Sequence, residues 1–172
     1  MTLIETILKR RSVRTYTDEE IPENKIEKIL QAGLLAPTSR NRKPCEFYVV
    51  KDKEILEKLS KSKASGSSML ENANTAIVVF ADSEKADTWI EDSSIALAYM
   101  DLMANELDIG SCWCQAHLRF SADNKKSEEV IKEIFSMDSK YRVVGILSLG
   151  IASSKPEGHN LSEIDESKIS YF

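Results

Sequence analysis

The sequence predicts one domain of the α+β or α/β class. Its 172 residues are enough to bury one core but few for two, and 42% apolar with 30% charged residues is an ordinary globular composition. Short runs rich in β-branched and aromatic residues alternate irregularly with amphipathic segments, which indicates three or four strands surrounded by helices. Residues 1–172 show neither an internal repeat nor a linker, so we expect a single domain.

The first half of the chain is predicted to contain three helices and a strand. Apolar residues three and four apart predict a helix in LIETILKR, with Thr2 as its N-cap, and a longer one in IPENKIEKILQAGLLAP, which Pro37 ends. The polar loop PTSRNRKP follows. EFYVVK has the composition of a strand, and KEILEKLS that of a short amphipathic helix.

The second half is predicted to contain the longest helix and the most buried strands. TAIVVFA is expected to be a buried strand, and the long helix to start near Asp87 and reach Leu107. Its apolar residues cover more than one stripe, so it needs burial on most sides, which a second subunit would supply. SCWCQAH is expected to be extended, DNKKSEEVIKEIFSM to be a helix capped by Asp123 or Asn124, and YRVVGILSLGIA to be the last strand before a polar tail.

Positive charge is concentrated near the N-terminus. Residues 1–51 carry 10 Lys and Arg against 7 Asp and Glu, whereas residues 52–172 carry 13 against 21, and five of the seven arginines lie in the first 42 residues. Because arginine binds phosphate through a planar fork of N–H donors, this distribution favours a small anionic ligand. A pI of about 5.2 argues against a nucleic-acid partner.

Several classes of protein and site are disfavoured. No run approaches eighteen consecutive apolar residues, and the N-terminal charges follow the apolar stretch, so we expect no membrane span or signal peptide, and a cytoplasmic location. Cys45, Cys112 and Cys114 do not suit a disulfide framework or a zinc site, and reduced thiols are expected. The chain has no GxGxxG, no Walker loop, and no hydrolase or metalloprotease motif around its two histidines.

Two polar segments are candidates for binding an anion. In KRRSVRTY, an extended course after the first helix would let Arg10, Ser12 and Arg14 converge while Val13 points inward; a solvated helix end explains the same residues about equally well. In PTSRNRKP, two prolines stiffen a loop of hydroxyl, amide and cationic groups, which is typical of binding loops and also of ordinary turns. The CWC pair could be a redox dithiol, but its flanks predict a strand, which favours buried cysteines.

Four ordered segments resemble the nitroreductase family of FMN-dependent NAD(P)H oxidoreductases. RRSVR and APTSRNRKP resemble the family's RRSxR-like segment and AP(S/T)xxNxQP loop. EDSSIALAYMDLMANELDIGSCWC is similar to its long central helix with the LGxGxCW segment, and VVGILSLGIASSKP resembles its closing strand and GxPxxKP turn. Together these segments span about residues 3–156, and their order is more specific than any single motif.

The resemblance implies an α+β fold in which helices surround a central mixed or antiparallel sheet. It also implies an intertwined homodimer with one FMN in each of two interface sites. Arg10, Arg11, Ser12 and Arg14 would hold the FMN phosphate and the edge of its ring system, and Lys155 is a further candidate for the phosphate. The other subunit would contribute Pro37, Thr38, Ser39 and Asn41 beside the ribityl chain and the isoalloxazine. Gln115 and Ala116 align with residues whose backbone N–H groups approach flavin N5.

The implied activity is hydride transfer from NADH or NADPH through FMN to nitroaromatic, quinone or similar small acceptors, by a ping-pong mechanism without a catalytic amino acid. An alternative from another class is a flavin-binding module that senses or stores FMN without significant turnover. Two departures motivate it: SGSSM stands where some members have an Asn and a Lys that contact the flavin, and an Arg after the KP turn is missing. Lys43, where the family usually has Gln, or Arg40 is the expected substitute for the flavin-contacting cation.

Overall fold

A four-stranded antiparallel sheet forms the centre of the computed structural model, which describes residues 2–172. The strands are β1 (Cys45–Val50), β2 (Thr75–Asp82), β3 (Gly110–Gln115) and β4 (Tyr141–Gly150), in the order β1-β2-β4-β3. The two central strands, β2 and β4, are buried along most of their length, which explains why they appear in the sequence as continuous apolar runs. β3 lies at one edge of the sheet.

Five α-helices cover this sheet, which confirms the predicted α+β class. They are α1 (Leu3–Lys9), α2 (Glu23–Leu34), α3 (Lys53–Ser60), α4 (Trp89–Glu106) and α5 (Ser127–Ile134). On one face, the buried side chains of α2 and α4 pack with Ile77 and Leu147. On the other, those of α3 and α5 pack with Val78 and Phe80. The alternation of side chains along β2 therefore supplies both cores.

Side-chain caps set the starts of α1 and α3, at Thr2 and Asp52. The Thr2 hydroxyl accepts from Glu5 N–H while the Glu5 carboxylate accepts from Thr2 N–H, which forms a capping box at the start of α1. The predicted cap of α5 is wrong. That helix begins at Ser127 rather than directly after Asp123 or Asn124, because Asn124 adopts a left-handed conformation (φ 58°) in the preceding turn.

The long helix α4 is buried against the sheet and against α2, but not on every side. Leu97 and Met100 are fully buried, whereas Tyr99 is 43% exposed. Tyr99, Leu102 and Met103 line a mainly apolar groove of about 480 Å³ together with Leu3 of α1. The sequence-based expectation of burial on most sides is therefore met where the sheet and α2 cover the helix, and one apolar stripe stays open within a single chain.

A closed ion pair, in which both carboxylate oxygens accept from one guanidinium, joins α5 to the start of β4. The Arg142 guanidinium donates to both carboxylate oxygens of Glu128, from Nε at 2.9 Å and from a terminal nitrogen at 2.7 Å. The same guanidinium lies 4.6 Å from the centre of the Trp89 ring. Although burial alone would raise it, the bonds from Arg142 hold the pKa of Glu128 below its ordinary value.

Within residues 2–172, none of the helices is long and apolar enough to cross a membrane. The same part of the chain contains no group of three or more His, Cys, Asp or Glu side chains arranged to hold a metal ion. Cys45, Cys112 and Cys114 carry free thiols.

Candidate functional site

The outer side of β3 carries backbone groups that the sheet does not use. Ala116 N–H donates to Val144 O of β4 at 2.8 Å, so the backbone groups of Ser111, Trp113 and Gln115 face the opposite way. At Ser111 this outer edge is occupied, because its carbonyl accepts from Val13 N–H at 2.8 Å. Beyond Ser111, the strand and bridge pairings of residues 2–172 leave the edge open at Gln115.

The segment after α1 runs beside this edge and separates its arginines. Ser12 forms a parallel bridge with Ser111, and Val13 is 5% exposed, as the predicted inward orientation requires. Arg10 points to α4, where its guanidinium lies 3.6 Å from the Asp101 carboxylate. Arg14 is exposed, and its positive charge acts on the Cys112 thiol. Arg10, Ser12 and Arg14 thus alternate with Arg11 and Val13 along an extended chain.

Arg11 faces a separate pocket near the start of the tail. This pocket has a volume of about 240 Å³ and is lined by Arg11, Lys155, Asp108 and Gly158, among others. Arg11 donates to the carbonyl of Glu157, and the Lys155 ammonium pairs with Asp108. His159 N–H donates to the Leu8 carbonyl at 2.7 Å, which fastens the tail to the end of α1. A phosphate held here would compete with Asp108 for Lys155.

Lys63 is a cation near β3 that the sequence analysis did not identify. Its charge acts on the thiols of Cys112 and Cys114, and Cys112 is also the thiol on which Arg14 acts. No carboxylate within residues 2–172 forms an ion pair with Lys63. The loop that follows it reaches β3, since the Cys114 thiol lies 3.5 Å from the Gly66 carbonyl. Lys63 stands just upstream of SGSSM in the segment KSKASG, whose composition does not indicate that this lysine lies near β3.

The cysteines of β3 do not have the environment of a redox pair. Both side chains are 2% exposed and lie in the core. Burial raises the pKa of the Cys114 thiol to about 11, and burial also raises the pKa of Cys112. A thiol that stays protonated is a poor nucleophile, so this environment favours the interpretation of CWC as buried cysteines.

The loop from Pro37 to Pro44 lies at the other end of α4 and is held in a strained conformation. Arg40, Asn41 and Lys43 all have positive φ angles, between 47° and 54°. Two bonds maintain the loop: Ser39 N–H donates to the buried Asp92 carboxylate at 3.0 Å, and Lys43 N–H donates to the Thr38 hydroxyl at 3.1 Å. Pro37, Arg40, Asn41 and Lys43 themselves are exposed.

A single chain therefore separates the predicted site residues into two groups. Asp92, which anchors the loop, and Asp101, which contacts Arg10, are nine residues apart on α4, or about 14 Å along its axis. The first group (Arg10, Arg11, Ser12, Arg14, Gln115, Ala116 and Lys155) surrounds β3 and the tail. The second group (Pro37, Thr38, Ser39 and Asn41) lies near the start of α4, and neither Arg40 nor Lys43 is close to β3 in the same chain.

The donors around β3 suit a flavin mononucleotide. Guanidinium groups and the hydroxyl of Ser12, which lies beside Ser111, are donors that a phosphate requires, and an outward N–H at Gln115 is a donor for a ring nitrogen. The strand spans about 13 Å between these two residues, which leaves room for a ribityl chain. Of the two predicted N5 donors, Gln115 has its N–H on the open edge, whereas that of Ala116 is bonded to Val144.

Comparison with known proteins places the chain among flavoenzymes. The model of the nitroreductase family matches residues 7–67 and 61–151. An Archaeoglobus fulgidus protein provisionally named NADH dehydrogenase/NAD(P)H nitroreductase is 37% identical over 151 residues, which cover 86% of this chain and 83% of that protein. Among solved structures, an FMN-dependent nitroreductase from Clostridium difficile R20291 is 44% identical with a TM-score of 0.95 over 98% of both chains. A nitroreductase family protein from Clostridium difficile 630 is 32% identical with a TM-score of 0.83, over 99% of this chain and 98% of that one.

Proposed function

Because the chain belongs to the nitroreductase family, we propose that it passes hydride from NADH or NADPH, by way of bound FMN, to nitroaromatic, quinone or similar small acceptors in a ping-pong exchange. The protein is an FMN-dependent NAD(P)H oxidoreductase. When bound, the flavin supplies the hydride chemistry, while the protein supplies binding, orientation and charge. The enzyme names of the relatives favour turnover over a storage or sensing module.

One observation carries this proposal: a row of cationic and hydroxyl groups borders the open edge of β3. Arg10 and Ser12 lie beside Ser111, where they would bind the phosphate. Arg11 and Lys155 border the adjacent pocket and would add to its positive potential. Four residues further along β3, the outward N–H of Gln115 would donate to N5 of the ring.

A cation near the ring end would influence the reduction potential of the flavin. Lys63 acts on the thiol of Cys114, the residue before Gln115, whereas Arg14 acts on that of Cys112, next to Ser111 at the phosphate end. A positive charge beside the N1 and C2=O edge of a flavin favours the electron-rich form and raises its potential. Lys63 is therefore a better candidate than Lys43 or Arg40 for the cation that the SGSSM segment lacks.

The second group of site residues implies a homodimer. In a two-fold dimer whose α4 helices pack antiparallel, the loop at the start of one α4 would meet the end of the partner's α4, where Arg10 lies. The open apolar groove of α4 would supply the contact surface. Tail residues would extend it, because Leu161, Ile164, Ile169 and Tyr171 are all more than half exposed.

The oxidoreductase proposal is tested by the spectrum of the purified protein and its response to nicotinamides. Protein saturated with FMN should be yellow, and anaerobic NADH or NADPH should bleach the flavin. Subsequent addition of a nitroaromatic or a quinone should restore the colour without nicotinamide present, which is the signature of two separate half-reactions. Protein that retains no FMN would refute the proposal, and flavin that resists both nicotinamides would favour the storage module.

The dimer is tested by placing a charge on the α4 groove. Tyr99→Glu should convert a dimer into monomers in sedimentation or light-scattering measurements, because a carboxylate would be buried without a partner. Tyr99→Phe is the matched control and should remain dimeric. A wild-type monomer, or a Tyr99→Glu dimer, would contradict this arrangement.

A further inference from the structure

Asp101 is a largely buried carboxylate on α4. Its side chain is 14% exposed. Ser111 Oγ donates to one of its oxygens at 2.5 Å. Arg10 lies 3.6 Å from the other oxygen. Asp101 therefore joins α4, β3 and the segment after α1 at one point.

This carboxylate is costly for the fold. Burial raises the pKa of Asp101, even though Ser111 and Arg10 act in the opposite direction. The ion pair does not fully compensate the loss of hydration, since an apolar side chain at such a position usually serves stability at least as well. A role beyond stability would account for a charge at this position.

Asp101 contacts Arg10 but leaves most of its N–H donors available. Within residues 2–172, Asp101 is its one ion-pair partner, and the contact of 3.6 Å is too long for a good hydrogen bond. A guanidinium has five N–H donors in a rigid fork, so most of the donors of Arg10 stay available. Its side chain is 30% exposed, on the same side of the extended segment as Ser12 and Arg14.

We propose that Asp101 is a positioning residue that holds the Arg10 guanidinium at the phosphate end of the flavin site. Ser111 fixes the carboxylate on one side, and the carboxylate fixes the guanidinium on the other, before any ligand arrives. A preorganised arginine loses less conformational entropy when it binds phosphate. This inference rests on the proposed FMN site and assigns part of its affinity for the phosphate to a residue that need not touch the ligand.

Riboflavin, which lacks the phosphate, separates this role from a structural one. Flavin-free full-length protein is titrated with FMN and with riboflavin, and the quenching of flavin fluorescence gives both dissociation constants. Asp101→Asn should weaken FMN about tenfold, the equivalent of one charge-assisted hydrogen bond, and leave riboflavin within twofold of wild type. Arg10→Ala should have a similar selective effect, and the double variant should lose no more than Arg10→Ala alone.

A control variant and a second test variant accompany Asp101→Asn in the flavin titrations. Asp82→Asn removes a carboxylate that pairs with Lys140 at the far end of β2, and it should change neither affinity. If Asp101→Asn does not fold, Ser111→Ala removes the bond that fixes the carboxylate and should show a smaller selective loss of FMN affinity. Equal losses for both flavins, or additive losses in the double variant, would overturn the positioning role. A wild-type protein that binds neither flavin would refute the proposed function instead.

Discussion

Two arginine–carboxylate pairs lie at different ends of the same sheet, and they differ in nearly every physical respect. Arg142 and Glu128 are joined by two bonds of 2.9 and 2.7 Å, and the guanidinium is also stacked on Trp89. Arg10 and Asp101 meet at a single distance of 3.6 Å. The pKa of Glu128 is lowered, whereas that of Asp101 is raised by burial. A closed pair stabilises the fold, and an open pair leaves donors available for a ligand.

Removing the closed Arg142–Glu128 pair tests the contrast between the two ion pairs most directly. Arg142→Ala leaves the buried Glu128 carboxylate without its ion-pair partner, and we expect a loss of about 2–3 kcal/mol in the free energy of unfolding. Urea denaturation followed by circular dichroism measures this loss. The affinity for FMN, measured under conditions where the variant is folded, should stay unchanged. A loss below about 0.5 kcal/mol would show that the bidentate pair contributes little.

Truncating the arginine of the open Arg10–Asp101 pair should reduce FMN affinity strongly and fold stability only slightly, the reverse of the result expected for Arg142→Ala. Arg10→Ala should weaken FMN binding about tenfold or more, because a charge-assisted bond to phosphate is lost. It should change the free energy of unfolding by less than about 1 kcal/mol, because the Arg10–Asp101 contact is long. Arg142→Ala serves as the matched control in the flavin titration. An FMN affinity that survives the loss of Arg10 would remove Arg10 from the site.

The pH dependence of stability sharpens the contrast between the two carboxylates. Because the folded-state pKa of Asp101 is raised, the folded protein binds a proton more readily than the unfolded chain, and Asp101 costs stability as pH rises above the ordinary aspartate value of about 3.9. Asp101→Asn should therefore be more stable than wild type at neutral pH, with a gain that shrinks as pH falls. Thermal unfolding of the flavin-free protein between pH 4 and 7.5 tests this sign. A variant that is less stable at pH 7 would contradict it.

The smallest expected effect concerns Lys63, a cation without any carboxylate partner among the described residues. Lys63→Gln should lower the flavin reduction potential by roughly 20–30 mV, the equivalent of about 1 kcal/mol for two electrons. The FMN affinity should change little, because Lys63 lies nearer the ring end than the phosphate end. Lys43→Gln is the matched control and should not alter the potential. If only the Lys43 variant shifts it, the assignment to Lys63 is wrong.

Elements with strong local signals could be predicted from the sequence, and contacts between distant residues could not. The runs of β2 and β4, the extent of α4, the Thr2 cap and the inward course of Val13 all follow from patterns within a few residues. The ion pair of Arg10 with Asp101 joins residues ninety-one positions apart, and no local pattern reports it. Lys63 was missed for a related reason, since its proximity to β3 depends on how the loop after α3 folds back.

The family resemblance predicted a larger set of site residues than the chain's own chemistry did. The polar composition of PTSRNRKP is also that of an ordinary turn, and within one chain the loop lies far from Arg10. Only the resemblance predicts that this loop contributes to the site of a second subunit. The choice between the N–H groups of Gln115 and Ala116 needed the register of β3 on β4, which the sequence does not specify.

The left-handed residues at Arg40, Asn41 and Lys43 have a practical consequence for protein engineering. Each of these conformations costs a side-chain-bearing residue free energy that glycine would not incur, so the loop trades thermal tolerance for the functional groups it displays. A library that selects for heat resistance alone would accumulate glycine at these positions. A library that also selects for turnover should retain the side chains. The difference in thermal stability between the variants from the two libraries would measure the stability that this loop costs the enzyme.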